Sequence, residues 1–342
     1  MFKYKEIIED LKKRRGSGGV MTEKTVSEEY GVSRITARRA LEELEKKGFV
    51  SRRQKKGSVF AGASRRFKVA VVLPSEEANN YKILDAIQRD SPKYNIRIEP
   101  YFTMSSEETE RECLEKIAET GYDGLICSLF SFSDNIDIFS SMIMAGVKLC
   151  FLDNVQIGIT APVVASDNFS GIKAMTRYFI GAGHKRFHYF ALHPQMAQNE
   201  TERFDGFCAA LFESGIAVEK NMIFKTDYFI RMLDADRAVN EYFEFYRQSN
   251  PVPTAVVCVN DVLADKISRG AAARGLKLSV SGYDNLNLGN AAFSTVEQNF
   301  FQIGRKALKI VHRLLSGEKV ASKKFFVKVR LIIRGGNCAK EQ

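Results

Sequence analysis

Residues 27–58 read SEEYGVSRITARRALEELEKKGFVSRRQKKGS. In this stretch Gly31 supplies a turn, Val32 is an apolar plug, and Ser33 can accept from the first backbone N–H groups of the helix that follows. That helix carries Ala37, Ala40, Leu41 and Leu44 on one face. Upstream, Thr22 is placed to cap a short helix running to about Tyr30. Before it, Tyr4, Ile7, Ile8 and Leu11 recur at helical spacing until GSGG at 16–19 ends the pattern. Two helices joined by a short Gly-containing turn make a helix-turn-helix. Downstream, FVSRRQKKGSVFAG reads as a strand, a polar turn with Lys55, Lys56 and Gly57, and a return strand, which is a wing with a basic tip.

Off the apolar face of the third helix stand Arg34, Thr36, Arg38 and Arg39. Long guanidinium donors on an N-terminal turn can reach guanine O6/N7 or phosphate, and a threonine methyl and hydroxyl suit base edges. Taken alone, the same arginines equally describe a solvated helix face. Charge distribution separates the two readings. Residues 1–66 carry 18 Lys+Arg against 9 Asp+Glu, whereas the remaining 276 residues carry 33 against 32. A basic module ahead of a near-neutral body points to a polyanion binder in front.

The stretch from Ser27 to Ser58 resembles the winged helix-turn-helix of GntR-family bacterial regulators, and the likeness extends over residues 3–61. In that family DNA is contacted by the arginine after the turn serine, the arginine four residues later, the basic residue opening the second helix, and the wing tip. The resemblance therefore implies Arg34, Arg38, Lys24, and Lys56 with Gly57. GSGGVMTEK stands where the family has a proline-containing approach to its second helix.

At 342 residues the chain is too long for one ordinary domain. No run of 18 apolar residues occurs, and MFKYKEIIEDLKKRR is charged and amphipathic rather than a leader for export. Cys113, Cys127, Cys150, Cys208, Cys258 and Cys338 are scattered singly, as expected of buried thiols in a reducing cytoplasm. His184, His188, His193 and His312 have no partner at metal-ligand spacing, so neither a metal nor another cofactor is expected.

From Phe67 the pattern alternates. Strands are expected at Phe67–Leu73, Ile96–Phe102, Gly124–Cys127 and Lys148–Leu152, with helices around 79–91, 106–119 and 135–145. A second series follows, with helices at 168–182, 201–214, 234–248 and 261–274 and strands at Phe187–Ala191, Met222–Lys225, Ala255–Val259 and Leu278–Tyr283. Such alternation predicts an α/β body of two lobes, each a parallel sheet covered by helices on both faces. Ligands on these sheets bind beyond the carboxyl ends of strands. The polar residues there are Ser75 with Tyr81, Ser128, Asp153, Arg203, Asn260-Asp261 and Asp284. Carboxylates, amides and one arginine suit a neutral polyhydroxy ligand, with Tyr81 or Phe130 stacking on a sugar face. Asn260-Asp261 also reads as a helix cap, Asp167 reads as a cap rather than a ligand contact, and Arg203 reads equally as an interior ion-pair partner.

Residues 67–335 resemble the effector-binding core of the LacI/GalR family, related to periplasmic sugar-binding proteins. The carriers are GYDGLI at 121, FLDN at 151, GHKRFHYFAL at 183, RFDGFCAAL at 203, VNDVLA at 259, SVSGYDN at 279 and STVEQNFFQIGRKALKIVHRLLSGE at 294. The likeness implies that Arg203 and Asp284 hold sugar hydroxyls and that Asn260, Asp153 and the segment after the first strand complete the pocket. Two departures stand out. The loop between Leu276 and Ser279 is short for the family, and the front module is not that family's headpiece.

The sequence thus predicts a winged helix-turn-helix over 1–61, a linker at 62–66, a two-lobed effector-binding and dimerisation domain over 67–335, and a tail at 336–342. The expected protein is a cytoplasmic homodimeric repressor of carbohydrate-utilisation genes, bound to double-stranded operator DNA and relieved by a sugar between the lobes. A corepressor or non-sugar effector is the alternative. An α/β sugar enzyme lacks a visible nucleophile–base arrangement or phosphate loop, and a transporter's solute-binding component would need export and has no use for the basic front module.

Overall fold

The structure, a computed structural model, describes residues 3–13, 20–46, 49–53, 57–60, 66–130, 134–192, 198–226, 235–289, 292–321 and 323–334. The expected wing tip at 54–56, most of the linker (62–65) and the tail at 336–342 lie outside these residues, as do His193 and Cys338.

The N-terminal module begins with helix α1 (Lys3–Lys13), followed by strand β1 (Val20–Met21), α2 (Glu23–Tyr30) and α3 (Arg34–Lys46). Strands β2 (Val50–Arg53) and β3 (Gly57–Phe60) pair antiparallel as the wing. Ile7, Ile8, Leu11, Val26, Ala37, Ala40, Leu41, Leu44 and Val50 form its core. Gly31 ends α2 at φ +58, the left-handed conformation that glycine adopts without a steric penalty. β1 adds a third strand by pairing with β3, Val20 opposite Val59. The sequence reading has no strand there, because two residues carry no periodicity.

Lobe 1 opens with β4 (Phe67–Leu73), α4 (Ala78–Asp90), β5 (Ile96–Phe102), α5 (Glu107–Thr120), β6 (Gly124–Ser128), α6 (Ile136–Met144), β7 (Lys148–Leu152) and β8 (Val163–Ser166). The chain then enters lobe 2 with α7 (Asn168–Gly181), β9 (Phe187–Leu192), α8 (Gln198–Glu213), β10 (Ile223–Thr226) and α9 (Ala235–Gln248). β11 (Ala255–Cys258), α10 (Asp261–Ala273), β12 (Ser279–Asp284) and β13 (Ser294–Glu297) continue it. Helix α11 (Phe300–Leu315) and β14 (Lys324–Val327) return to lobe 1, and β15 (Arg330–Ile332) goes back to lobe 2.

The sheet orders are β14-β8-β7-β6-β4-β5 and β10-β9-β11-β12-β13-β15. All pairs are parallel except β13 with β15. β4 shows why such strands are apolar throughout. Val69, Val71 and Leu73 enter the core on one face of the sheet, and Ala70 and Val72 enter that on the other. The predicted two series are both present, but the sequence reading assigns no element to β8, β13, α11, β14 or β15. The chain consequently crosses between lobes at 166–168, 297–300 and 327–330.

α11 belongs to lobe 1 because its apolar stripe has nowhere else to go. Ile303, Ala307, Leu308 and Val311 are buried there beside Ile83 and Ile87 of α4. Gly304 sets the approach: a Cβ at this position would lie 2.4 Å from the Ile83 carbonyl oxygen. Since backbone cannot swing aside as a side-chain tip can, Gly304→Ala is expected to cost about 1–3 kcal/mol of stability. Urea denaturation of the two proteins checks this, and coincident midpoints would show that α11 and α4 are free to separate.

The expectation of buried thiols holds for Cys127, Cys150 and Cys258, whereas Cys113 and Cys208 are half-buried; these five are unbridged. Among the described residues no helix is long and apolar enough to cross a membrane.

Candidate functional site

The first candidate surface is the exposed side of α3. Ser33 Oγ caps the helix by accepting from Thr36 N at 3.2 Å and lies 2.9 Å from Thr36 Oγ1, which places both hydroxyls at the positive end of α3. Arg34 and Arg38, one turn apart, are exposed. Arg38 is held by Glu23, with Nε donating to Oε1 at 2.8 Å and Nη2 to Oε2 at 3.0 Å. Lys24 is exposed beside Glu28, 3.9 Å away. Arg39 is placed apart from this group, its guanidinium 5.3 Å from the centre of the Tyr4 ring. Lys56 lies outside the described residues, and Gly57 opens β3. Glu23 and the exposed Ile35 are on this surface but were not singled out from sequence. The turn spacing of α3 carries the signal for Ile35, whereas the contact of Glu23 with Arg38 joins two helices and is not encoded in local spacing.

The second candidate lies where carboxyl ends of strands from the two lobes meet. In lobe 1, β4, β6 and β7 deliver Ser75, Ser128 and Asp153. Ser75 accepts from Asn80 Nδ2 through both Oγ and its carbonyl oxygen, at 3.0 Å each. Tyr81 stands on α4, half-exposed, with its ring 5.6 Å from that of Phe102. In lobe 2, β11 and β12 lead to Asn260 and Asp284, and α8 carries Arg203. Asn260 caps α10, its Oδ1 accepting from Leu263 N at 3.0 Å. Asp261 is buried and committed to structure, accepting from Leu286 N and Thr295 Oγ1.

Arg203 is the centre of this site and is only 6% exposed. Its Nε donates to Asn168 Oδ1 at 2.9 Å and its Nη1 to the Val259 carbonyl at 2.8 Å, while the guanidinium stacks 3.9 Å above Tyr283. Its Nη2 lies 3.9 Å from Asp284 Oδ1. Both readings of this arginine therefore coexist, as an interior partner and as a group at the strand ends. Asp153, at φ +57, has a buried Oδ1 without a hydrogen-bond partner among the described residues. Burial raises its pKa, against the pull of Arg203 and Lys324.

Behind these groups is a polar frame that the sequence did not disclose. Gln298 Nε2 donates to Asp284 Oδ1, and Gln298 Oε1 accepts from Ser166 Oγ, both at 2.5 Å. Glu202 accepts from Asn168 Nδ2 at 3.3 Å and pairs with Lys324 at 2.5 Å. Ser166 and Lys324 belong to lobe 1, and the other members to lobe 2.

Residues 4–60 match the bacterial regulatory proteins of the gntR family, and residues 176–336 match the periplasmic binding protein-like domain. The chain joins a gntR-family helix-turn-helix domain to a periplasmic-binding-protein-like domain. It is 23% identical over 322 residues to the arabinose metabolism transcriptional repressor of Halalkalibacterium halodurans, covering 88% of this chain and 84% of that protein. Transcription regulator CcpA of Lactococcus lactis superposes with a TM-score of 0.69 at 18% identity, over 80% of this chain and 99% of that one. A transcriptional regulator CelR–cellobiose complex superposes with a TM-score of 0.68 at 20% identity, over 89% and 90%. These likenesses establish the α/β two-lobed fold of the periplasmic-binding-protein-like part.

Burial pushes the Asp284 carboxyl up to about 7, against the opposing influence of Arg203 and the Gln298 hydrogen bond. An unfolded chain releases that proton near the ordinary value of about 3.9. The folded ligand-free protein therefore holds an extra proton, and its stabilising contribution is lost as pH rises through 7. Between about pH 5 and pH 8 the thermal midpoint should fall more steeply for the native protein than for Asp284→Asn. Parallel pH profiles would show that Asp284 is ionised throughout.

Proposed function

We propose that this chain is a cytoplasmic transcription regulator that represses carbohydrate-utilisation genes, binds operator DNA as a homodimer through residues 1–61, and is released by a neutral sugar held between the lobes of residues 67–335. The observation that carries the ligand reading is buried Arg203 flanked by Asp153 and Asp284 at facing strand ends. Carboxyl groups accept hydroxyl hydrogens, a guanidinium donates to hydroxyl or ring oxygens, and one cation beside two acidic groups leaves no excess positive charge, which suits a polyol better than an anion. The similarity to an arabinose-metabolism repressor and to a cellobiose-bound regulator supports the same class. Binding, not catalysis, is the role of this site.

In the DNA reading, the inverted symmetry of a dimer would place two copies of α3 in successive major grooves. Sugar can release the operator only through its differential affinity for the lobe arrangements of the free and DNA-bound forms.

A thermal-shift screen of the full chain against monosaccharides, disaccharides and sugar acids tests the ligand reading. A specific ligand at 100 times its Kd should add about 2.7 kcal/mol of stability. Arg203→Lys, which cannot reproduce a fork contacting Asn168 and Val259 together, should lose roughly 1.5–3 kcal/mol of that ligand's affinity and leave operator binding intact. A shift only with sugar phosphates or sugar acids would overturn the neutral-sugar assignment. In parallel, selection from randomised duplex DNA should return inverted half-sites, and Arg38→Ala should weaken binding to them by about 1–3 kcal/mol.

A further inference from the structure

Asp284 and Asn285, where β12 ends, are consecutive residues with positive φ, +116 and +53. Asparagine visits the left-handed region readily, whereas φ +116 is a backbone conformation that residues other than glycine rarely take. Strain of this kind persists only where the surroundings over-determine it. Left to relax, residue 284 would return to the extended conformation of the strand it ends. Its carboxyl would then turn away from Arg203 and from Gln298, the two partners it meets at the strand ends.

The restraint acts on the next two residues. Asn285 Oδ1 accepts from Arg334 Nη2 at 2.8 Å, its Nδ2 donates to Glu297 Oε1 at 3.0 Å, and its backbone N–H donates to Thr295 Oγ1 at 3.3 Å. Leu286 N donates to Asp261 Oδ2 at 2.7 Å, and Asp261 packs so closely under β12 that a Cβ at Gly282 would lie 2.2 Å from its Oδ1. Arg334 is the member that spans the loop. While Nη2 holds Asn285, Nη1 donates to the Phe293 carbonyl at 3.0 Å and the backbone N–H donates to Ser294 Oγ at 3.1 Å. One planar fork thus ties the exit of β12 to the entry of β13. Arg330 grips Glu297 from the same segment, with Nε donating to Oε2 at 2.9 Å. Both arginines belong to the stretch that has just crossed back from lobe 1.

We propose that Arg334 is a positioning residue for the effector site: by holding Asn285 it keeps the strained turn at Asp284 in place and so aims the Asp284 carboxyl at the ligand. This rests on the sugar-binding reading above and adds to it a residue, 50 positions further along the chain, that sets the orientation of one ligand group. The fork matters more than the charge. The Asp284 carboxyl faces Arg203 of α8, Asp153 of lobe 1, Asp261 of α10 and Gln298. Deleting a nearby cation would by itself raise its proton affinity further, whereas releasing the turn lets water reach it and returns it towards the ordinary carboxylate range. The two roles therefore move the Asp284 titration in opposite directions.

The test uses the full chain, with the sugars of the thermal-shift panel as probes, ribose, arabinose and cellobiose among them, and calorimetry for affinity. Arg334→Gln should weaken binding of the sugar that the wild type takes by about tenfold, the loss of one well-aligned hydrogen bond to a charged group. Asn285→Gly attacks the same contact from its other end, and glycine's tolerance of positive φ spares the fold. It should weaken the sugar similarly, and the double variant should bind no worse than Asn285→Gly alone. Without sugar, the thermal midpoint of Arg334→Gln should fall less between about pH 5 and pH 8 than that of the wild type, in parallel with Asp284→Asn. Wild-type sugar affinity in Arg334→Gln, or losses that add in the double variant, would overturn the proposal. So would a pH profile as steep as that of the wild type, or steeper. A wild-type chain that binds no sugar of the panel would overturn the neutral-sugar reading, and the sugar-free pH profiles would then decide by themselves whether Arg334 aims Asp284.

Discussion

Burying the charge of Arg203 is the constraint around which the body of this protein is arranged. Removing a guanidinium from water costs several kcal/mol unless its donors are met and its charge is balanced. Here the compensation comes from distant parts of the chain: Asn168 at the start of α7, the carbonyl of Val259 after β11, the face of Tyr283, and the carboxylates of Asp284 and Asp153. Asn168 is itself held by Glu202, which reaches Lys324 on a strand of the other lobe. Satisfying one cation therefore ties together residues of both lobes, among them Asp153 and Asp284 at the ends of strands in the two sheets.

That arrangement explains how occupancy could be felt elsewhere. Asp284 is tied through Gln298 to Ser166, the last residue of β8, and Ser166 pairs in register with Val327 of β14. Ser166, Gln298 and Val327 stand at the three places where the chain passes between lobes. A ligand that exchanges hydrogen bonds with Asp284 acts at the crossovers without any long relay, and coupling free energies of about 1–3 kcal/mol are within reach of a few such exchanges.

Much of this was legible in the sequence, for identifiable reasons. Val69–Leu73 could be recognised because a parallel strand buried on both faces is apolar at every position, and α3 because its buried positions recur at helical spacing. Asp153, Arg203 and Asp284 could be nominated because strand ends are where side chains converge. Two kinds of feature were not legible. VM and RLI are too short to show a period, so β1 and β15 appear only once their partners are known. Contacts such as Ser166 with Gln298, 132 residues apart, depend on topology that local patterns do not encode. A helical projection likewise places Arg39 among the outward arginines, but cannot show that Tyr4 of another helix takes its guanidinium.

The return of α11 and β14 to lobe 1 has a consequence for how the protein is made. A nascent chain leaves the ribosome N-terminus first, so the contiguous helix-turn-helix module is complete after some sixty residues. Lobe 1, although it starts next, lacks a covering helix and an edge strand until residues 300–327 are synthesised, and β15 completes lobe 2 only a few residues later. Pairings of such long range form slowly, because loop closure must precede the contacts that reward it. Translation thus delivers the part that would engage DNA well before the part that would control it, and both lobes are sealed by the same final segment.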